Sequence, residues 1–305
     1  MLSLVCVYNN ERMLNDTLLV SIQNQTVPCD LILLDNRESR YQSAAEALNY
    51  GASQAKGEYI VFLHQDMFLG YDSWLEDAEV LLRSISDLGI AGVAGVSEKG
   101  KHWQDRVKYA FMHRTDQAWK DVPVVDKPEE VQTLDECLLI IPKKVFNELK
   151  FDEMTFDGWD CYGADYCLSV RDHGLKAYVL PLPCIHSSVR AYIKIWEYKG
   201  LHEYKKKLYA KHKGKFKKIF TFMGTVSWLY LHLYSLIIFF GPTLSRLAFF
   251  SYENIWKRVL KGCKSVLDLG CGINSPVQFC SVDFSMGVDI SRETIDECTR
   301  LNIFS

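Results

Sequence analysis

Three polar clusters follow apolar runs in this sequence, and their residue types could handle a phosphorylated ligand. The most pointed is Gly57-Glu58-Tyr59-Ile60-Val61-Phe62-Leu63-His64-Gln65-Asp66, an apolar run ending in a polar triplet. A buried strand would hold its terminal carboxylate, Asp66, at a fixed point. A carboxylate suits a hard divalent cation, and Mg2+ or Mn2+ in turn bridges phosphate oxygens. The plainer reading is a turn aspartate ahead of a helix that starts near Ser73. Val7-Tyr8-Asn9-Asn10 and Asp35-Asn36 close two other apolar runs. An aspartate there accepts hydrogen bonds from a base or a ribose hydroxyl. The competing role for Asn10 or Asp35 is to cap the next helix or turn.

These clusters need elements to position them. Leu2–Val7, Leu31–Leu34, Tyr59–Leu63, Ile90–Val96, Cys137–Ile141 and Ala177–Leu180 read as strands. Glu11–Gln25 and Tyr41–Lys56 read as amphipathic helices between the first three. This alternation predicts an α/β fold, Rossmann-like, with a mostly parallel sheet and helices on both faces. Such sheets bind ligands at the carboxyl ends of their strands, where all three clusters fall.

Composition narrows the partners. The chain has 305 residues, enough for about two domains at ~150 residues each. Its net charge of −3 favours no nucleic-acid partner. Nine lysines and one acid, Glu203, lie between Lys199 and Lys218. Such a block is a solvated face or a surface for phosphate or anionic lipid. Ten cysteines without a CxxC pair argue against a zinc ribbon or a disulfide scaffold. Cys6, Cys137 and Cys167 sit in apolar runs, as small buried hydrophobes do in a reducing cytosol. No basic region precedes Leu2–Val7, so no signal peptide is expected.

In this order the clusters resemble the GT-A superfamily of glycosyltransferases, family 2-like, in a branch whose metal motif reads His-Gln-Asp. The resemblance runs from residue 2 to about 190. It includes Ala47-Leu48-Asn49-Tyr50-Gly51-Ala52 and Phe151-Asp152-Glu153, followed by Asp165 and a helix through Gly174. It implies transfer of a sugar, with inversion, from a nucleotide-diphosphate donor to a hydroxyl acceptor on a glycan or lipid carrier. Tyr8, Asn9, Asp35, Asn49, His64 and Gln65 would surround the donor. Asp66 would ligate Mn2+ or Mg2+, with His186 completing the site. Relatives carry an acid two positions before the residue matching Asp165, where this chain has Gly163. Asp160 and Asp165 remain as candidate general bases. Asp160, among aromatic and apolar neighbours, is the preferred one, because partial burial would raise its pKa. Asp165 opens a helix and could simply cap it.

The remaining sequence is of another kind. Ile219–Ser245 holds no charged residue over 27 positions, long enough to span a bilayer, but Gly241-Pro242 breaks it. The expected organisation is a catalytic domain over 1–215, an apolar helical connector over 216–260 and a third segment over 261–305. The connector is expected to pack on the catalytic domain or touch the cytosolic face of a membrane through Lys199–Ser245 without crossing it. Ser265-Val266-Leu267-Asp268-Leu269-Gly270-Cys271-Gly272, with Asp289 after Met286–Val288, resembles the start of a class I S-adenosylmethionine methyltransferase. Only its first β-α-β-α is expected here, so use of S-adenosylmethionine is not. The missing acid at Gly163 and this short segment also suit a non-catalytic nucleotide-sugar-binding or scaffold protein.

Overall fold

The computed structural model describes residues 1–113, 124–187, 195–232, 258, 260–261, 264–269 and 284–288. They fall into two units, Met1–Leu231 and His232–Ser305. The strands of the first unit are β1 (Leu2–Tyr8), β2 (Asp30–Asp35), β3 (Tyr59–Leu63), β4 (Met67–Leu69) and β5 (Leu88–Gly92). There follow β6 (Ala94–Val96), β7 (Val107–Tyr109), β8 (Phe111–His113), β9 (Glu129–Val131) and β10 (Thr133–Leu134). The last are β11 (Leu138–Pro142), β12 (Lys176–Val179), β13 (Cys184–His186), β14 (Lys218–Thr221) and β15 (Gly224–Ser227).

Seven of them form the central sheet in the order β2-β1-β3-β11-β5-β12-β9. β1 runs parallel to β2 and β3, and β12 parallel to β5. β11 lies antiparallel between β3 and β5, and β9 antiparallel to β12. Strands β3, β5 and β11 are buried along their whole length. Their lack of charged residues follows from having both faces covered.

Alternate side chains serve the two faces. Val5, Ile60 and Phe62 pack with Ala44, Ala47 and Leu48 of the Ala44–Gln54 helix. Leu4, Cys6, Val61 and Leu63 pack instead with Leu14, Leu18, Trp74 and Leu75. The period-two alternation of each strand thus feeds two cores. Ser43 caps the Ala44–Gln54 helix by accepting from the Glu46 amide at 3.1 Å, and the Glu46 carboxylate accepts from the Gln42 amide at 2.9 Å. The alanines bring the helix close to the sheet, and only Gly51 fits beside Val5 there, since a Cβ would stand 2.4 Å from Val5 Cγ1. The α/β class read from the sequence is the class observed.

The start of the expected helical connector differs. Lys218–Thr221 and Gly224–Ser227 pair as an antiparallel hairpin. Gly224, at φ 104, makes the turn. Ile219 and Val226 are fully buried in the first core, and the Thr133 hydroxyl donates to the Phe220 carbonyl at 2.5 Å. Beta-branched and aromatic residues across 218–227, with a tight turn at Gly224, suit paired strands despite the absence of charge from 219 onward. Residues 233–257, the rest of that run, lie outside the described residues. No helix among the described residues is long and apolar enough to cross a membrane.

The lysine block lies largely on the Ile195–His212 helix, and many of its cations meet partners within the chain. Lys206 pairs with Glu203, Lys207 with Asp157, and Lys215 with Asp172. Lys205 is buried and donates to the Met223 carbonyl at 2.7 Å. Lys211 bridges Asp152 at 2.8 Å and Asp165 at 2.9 Å, and the His212 Nε2 lies 2.7 Å from Asp165. In the second unit, Ser265–Leu269 pairs in parallel with Phe284–Val288. The glycine turn after Leu269 and Asp289 lie outside the described residues.

Asp165 is therefore anchored as a buried partner of two bases. Asp165→Ala should cost about 3 kcal/mol, because it leaves the buried His212 without this partner and Lys211 with Asp152 alone. Urea unfolding measures this. A loss below about 1 kcal/mol would mean the pairs are dispensable.

Candidate functional site

The parallel strands β1, β2 and β3 end side by side, with Tyr8 registered against Asp35. Beyond each end comes one of the polar clusters. Together they open a cavity of about 810 Å³. Its walls include Tyr8, Asn9, Asn10, Asn36, Arg37, His64, Gln65, Asp66, Glu136, Trp159 and Tyr162.

Gln65 ties two of the clusters together. Its side-chain carbonyl accepts from the Asn9 amide at 3.0 Å and the Asn10 amide at 2.9 Å, and its NH2 donates to Asn9 Oδ1 at 2.8 Å. Asn10 in turn caps the helical segment that starts at Glu11, accepting from the Met13 amide at 3.0 Å. Both readings of the asparagine pair thus meet in one place: Asn10 caps, and the pair also lines the cavity.

Asp35 holds Arg37. Its carboxylate accepts from the Arg37 backbone amide and Nε, each at 3.0 Å, and from Nη2 at 2.6 Å. These bonds hold its pKa down at about 2. The guanidinium also reaches Glu11 at 2.5 Å and lies 5.8 Å from the Tyr8 ring centre. Asp35 remains an exposed carboxylate and is not among the cavity-lining residues, whereas Arg37, which it holds, is. Arg37 was not singled out from sequence, although it follows Asp35-Asn36 directly. Asn49, expected beside the donor, is not among the cavity-lining residues. Its amide donates to the Phe151 carbonyl at 2.9 Å and to Glu153 at 2.6 Å, and accepts from the Phe151 amide at 3.1 Å. It braces the loop that the resemblance links to it.

His64, Asp66 and His186 converge. One potential ligand atom from each lies within 4.8 Å of the others. Strand pairing does this. β13 lies antiparallel to β4 with His186 opposite Met67, and the Ser187 amide donates to the Asp66 carbonyl at 2.9 Å. His186 Nε2 comes to 3.3 Å from Asp66 Oδ1. Burial is the largest influence on the Asp66 carboxylate and would raise its pKa, but the hydrogen bond from His186 together with the charges of His186 and His64 outweighs it, and the net shift is down. Burial likewise pulls His186 down, and the Asp66 carboxylate more than reverses this. Desolvation lowers His64, favouring the neutral imidazole that ligates metals. Two imidazoles and a carboxylate suit a divalent transition ion such as Mn2+ better than Mg2+, which prefers oxygen alone.

The two base candidates part company. Asp165 faces Lys211 and His212, as above. Asp160 lines a separate cavity of about 70 Å³, with Lys205, Met223 and Glu136, and burial raises its pKa. Glu136 lines both cavities and was missed by the sequence reading. Its only signal there was an acid just ahead of an apolar strand.

A cavity at the carboxyl edge of a mostly parallel sheet, ringed by polar loops, marks this as an α/β ligand-binding protein of the doubly covered kind. Residues 3–214 match the model described as "Glycosyltransferase like family", and the chain belongs to that family. The match stops short of the C-terminal segment. A protein of Fuscovulum blasticum described as "ATP synthase subunits region ORF 6" is 28% identical over 162 residues, 52% of this chain and 62% of that protein. The chain thus spans less than two thirds of that relative. Among solved structures, the mannosyltransferase PcManGT from Pyrobaculum calidifontis, in complex with GDP-Man and Mn2+, aligns with a TM-score of 0.49 at 13% identity. That alignment covers 71% of this chain and 65% of the other. TarS of S. aureus, in complex with UDP-GlcNAc, gives a TM-score of 0.45 at 16% identity, over 69% of this chain and 66% of its own.

The seating of β13 on β4 depends on Gly70. Its amide donates to the Pro183 carbonyl at 3.1 Å, and a Cβ at this position would stand 2.4 Å from that oxygen. Gly70→Ala should therefore cost about 1–3 kcal/mol, as overpacking does. Chemical denaturation reads this out. Unchanged stability would contradict the close approach.

Proposed function

We propose that this chain is a metal-dependent, inverting glycosyltransferase that moves a sugar from a nucleoside-diphosphate donor to a hydroxyl of a glycan or lipid-linked acceptor. The observation that carries this reading is the convergence of His64, Asp66 and His186 beside the large cavity. The family supports sugar transfer, and the donor set supports a divalent ion. His64, Asp66 and His186 would hold that ion, and the two imidazoles favour a transition ion over Mg2+. When bound, it supplies positive charge against the leaving diphosphate.

The chain's own residues do the rest. Tyr8 and Asp35 offer a ring face and a carboxylate to the nucleoside, at the ends of paired strands. Arg37 gives a fixed guanidinium nearby, pre-organised by Asp35. Gln65 keeps the β1 and β3 ends together, so nucleoside and diphosphate sites hold one spacing. Trp159, an exposed aromatic on the cavity wall, offers an amphipathic face to a sugar ring.

Asp66→Ala should raise the Kd for UDP or GDP in Mn2+ at least tenfold, to the value that wild type shows in EDTA. Calorimetry on the full chain measures it. Mn2+-dependent hydrolysis of a panel that includes UDP-GlcNAc and GDP-mannose should vanish in the same variant. Unchanged nucleotide affinity and turnover would remove Asp66 from the metal site. Wild-type binding without any turnover across donors and acceptors would favour the non-catalytic alternative.

A further inference from the structure

We propose that Glu136 is the general base that takes the proton from the acceptor hydroxyl. This rests on the sugar-transfer reading above. Among the described residues that line the large cavity, Asp66 and Glu136 are the only carboxylates. Asp66 is engaged with His186 in the His64–Asp66–His186 cluster. Glu136 is left as the cavity's acid without that commitment.

Its setting fits the task. Glu136 precedes the buried strand β11, which fixes its backbone. The Gly163 amide, at the start of the Tyr162–Val170 helix, donates to Glu136 Oε1 at 2.9 Å. Cys161, just before that helix, adopts a left-handed backbone at φ 65, a conformation that costs a non-glycine residue ~1–2 kcal/mol. One oxygen of Glu136 is thus oriented, and the carboxylate is anchored from both β11 and the helix.

Gly163 explains why the acid comes from β11. A Cβ at position 163 would lie 2.7 Å from Glu136 Cγ and 3.3 Å from Oε1. The Glu136 side chain occupies the space that any side chain at 163 would enter. Glycine there and glutamate at 136 are a matched pair, so the glycine marks a relocated carboxylate and not a vacant catalytic position.

Burial raises the Glu136 pKa to about 8, helped by the Asp135 and Asp160 carboxylates and opposed by the Gly163 and Ala164 amides. Tyr162 lines the same wall, and Lys205 faces Asp160 across the smaller cavity. In the reaction, the ionised Glu136 takes the acceptor O–H proton. The acceptor oxygen bonds to the anomeric carbon as the bond from that carbon to the diphosphate oxygen breaks. The diphosphate leaves with that electron pair, and the proton remains on Glu136.

The test uses the full chain with Mn2+, UDP or GDP for binding, and the donor panel for turnover. Glu136→Gln should reduce kcat at least 100-fold while nucleotide Kd changes less than threefold. Wild-type kcat should rise with pH up to about 8, because only the ionised form accepts a proton, and the variant should lose that limb. Glu136→Ala combined with Gly163→Asp should recover at least tenfold over Glu136→Ala alone, by offering a carboxylate from the helix side. A second readout needs no turnover. A carboxyl whose pKa is raised by folding costs stability once pH exceeds its unfolded value near 4.3, and the full cost is reached above about 8. Glu136→Gln should therefore raise Tm more at pH 9 than at pH 4. Nucleotide binding and turnover retained in Glu136→Gln would overturn the proposal alone, as would loss of turnover confined to Asp160→Asn. Wild type that neither binds nor turns over any donor would overturn the sugar-transfer reading with it.

Discussion

The pairing of Cys184–His186 with Met67–Leu69 is the contact on which the site depends. It is a short ladder of three registered residues, and it lies outside the central sheet. Yet it joins the strand that follows His64-Gln65-Asp66 to partners 115 to 119 positions later in the chain. Without it, Asp66 would end a strand and face solvent. With it, His186 stands 3.3 Å from that carboxylate and His64 completes the cluster. A one-residue slip would turn His186 to the other face, because side chains alternate along a strand.

A second constraint is the handling of buried charge. An isolated carboxylate in this core would be costly, and each one found there has company. Asp165 takes Lys211 and His212, and Asp152 shares Lys211. These pairs clamp the Ile195–His212 helix to Asp152 and to the Tyr162–Val170 helix. Glu136 is the exception in kind. It has amide donors but no cation among its influences, and its pKa rises accordingly. Structural acids and the cavity acid are therefore separable by what compensates them.

Much of this was legible in the sequence. Period-two strands and the polar ends of β1, β2 and β3 located the cavity, because a parallel sheet gathers its carboxyl ends on one edge. Asp66 and His186 stood out through strand position and resemblance. The rest depended on partners remote in sequence. Gln65 reads as a ligand, and its amide spans to Asn9 and Asn10, 56 and 55 residues away. Asn49 looked like a donor contact and instead braces Phe151, 102 residues on. Asp165 read as a cap or base until Lys211 and His212 came beside it. Glu136 could not be found by spacing at all, since only packing against Gly163 distinguishes it from Asp135. The hairpin at 218–227 is hidden because length alone reads an uncharged run as a helix, while Ile219, Phe220, Thr221, Thr225 and Val226 favour strands.

The most direct test of the metal cluster is pulsed electron paramagnetic resonance of Mn2+ bound to the full chain with a nucleoside diphosphate. Imidazole nitrogen couplings report coordination by histidine, whatever the turnover. The cluster predicts couplings from two imidazoles, one lost in His64→Ala and the other in His186→Ala. Bound Mn2+ with oxygen ligands alone, or couplings unchanged in both variants, would contradict it.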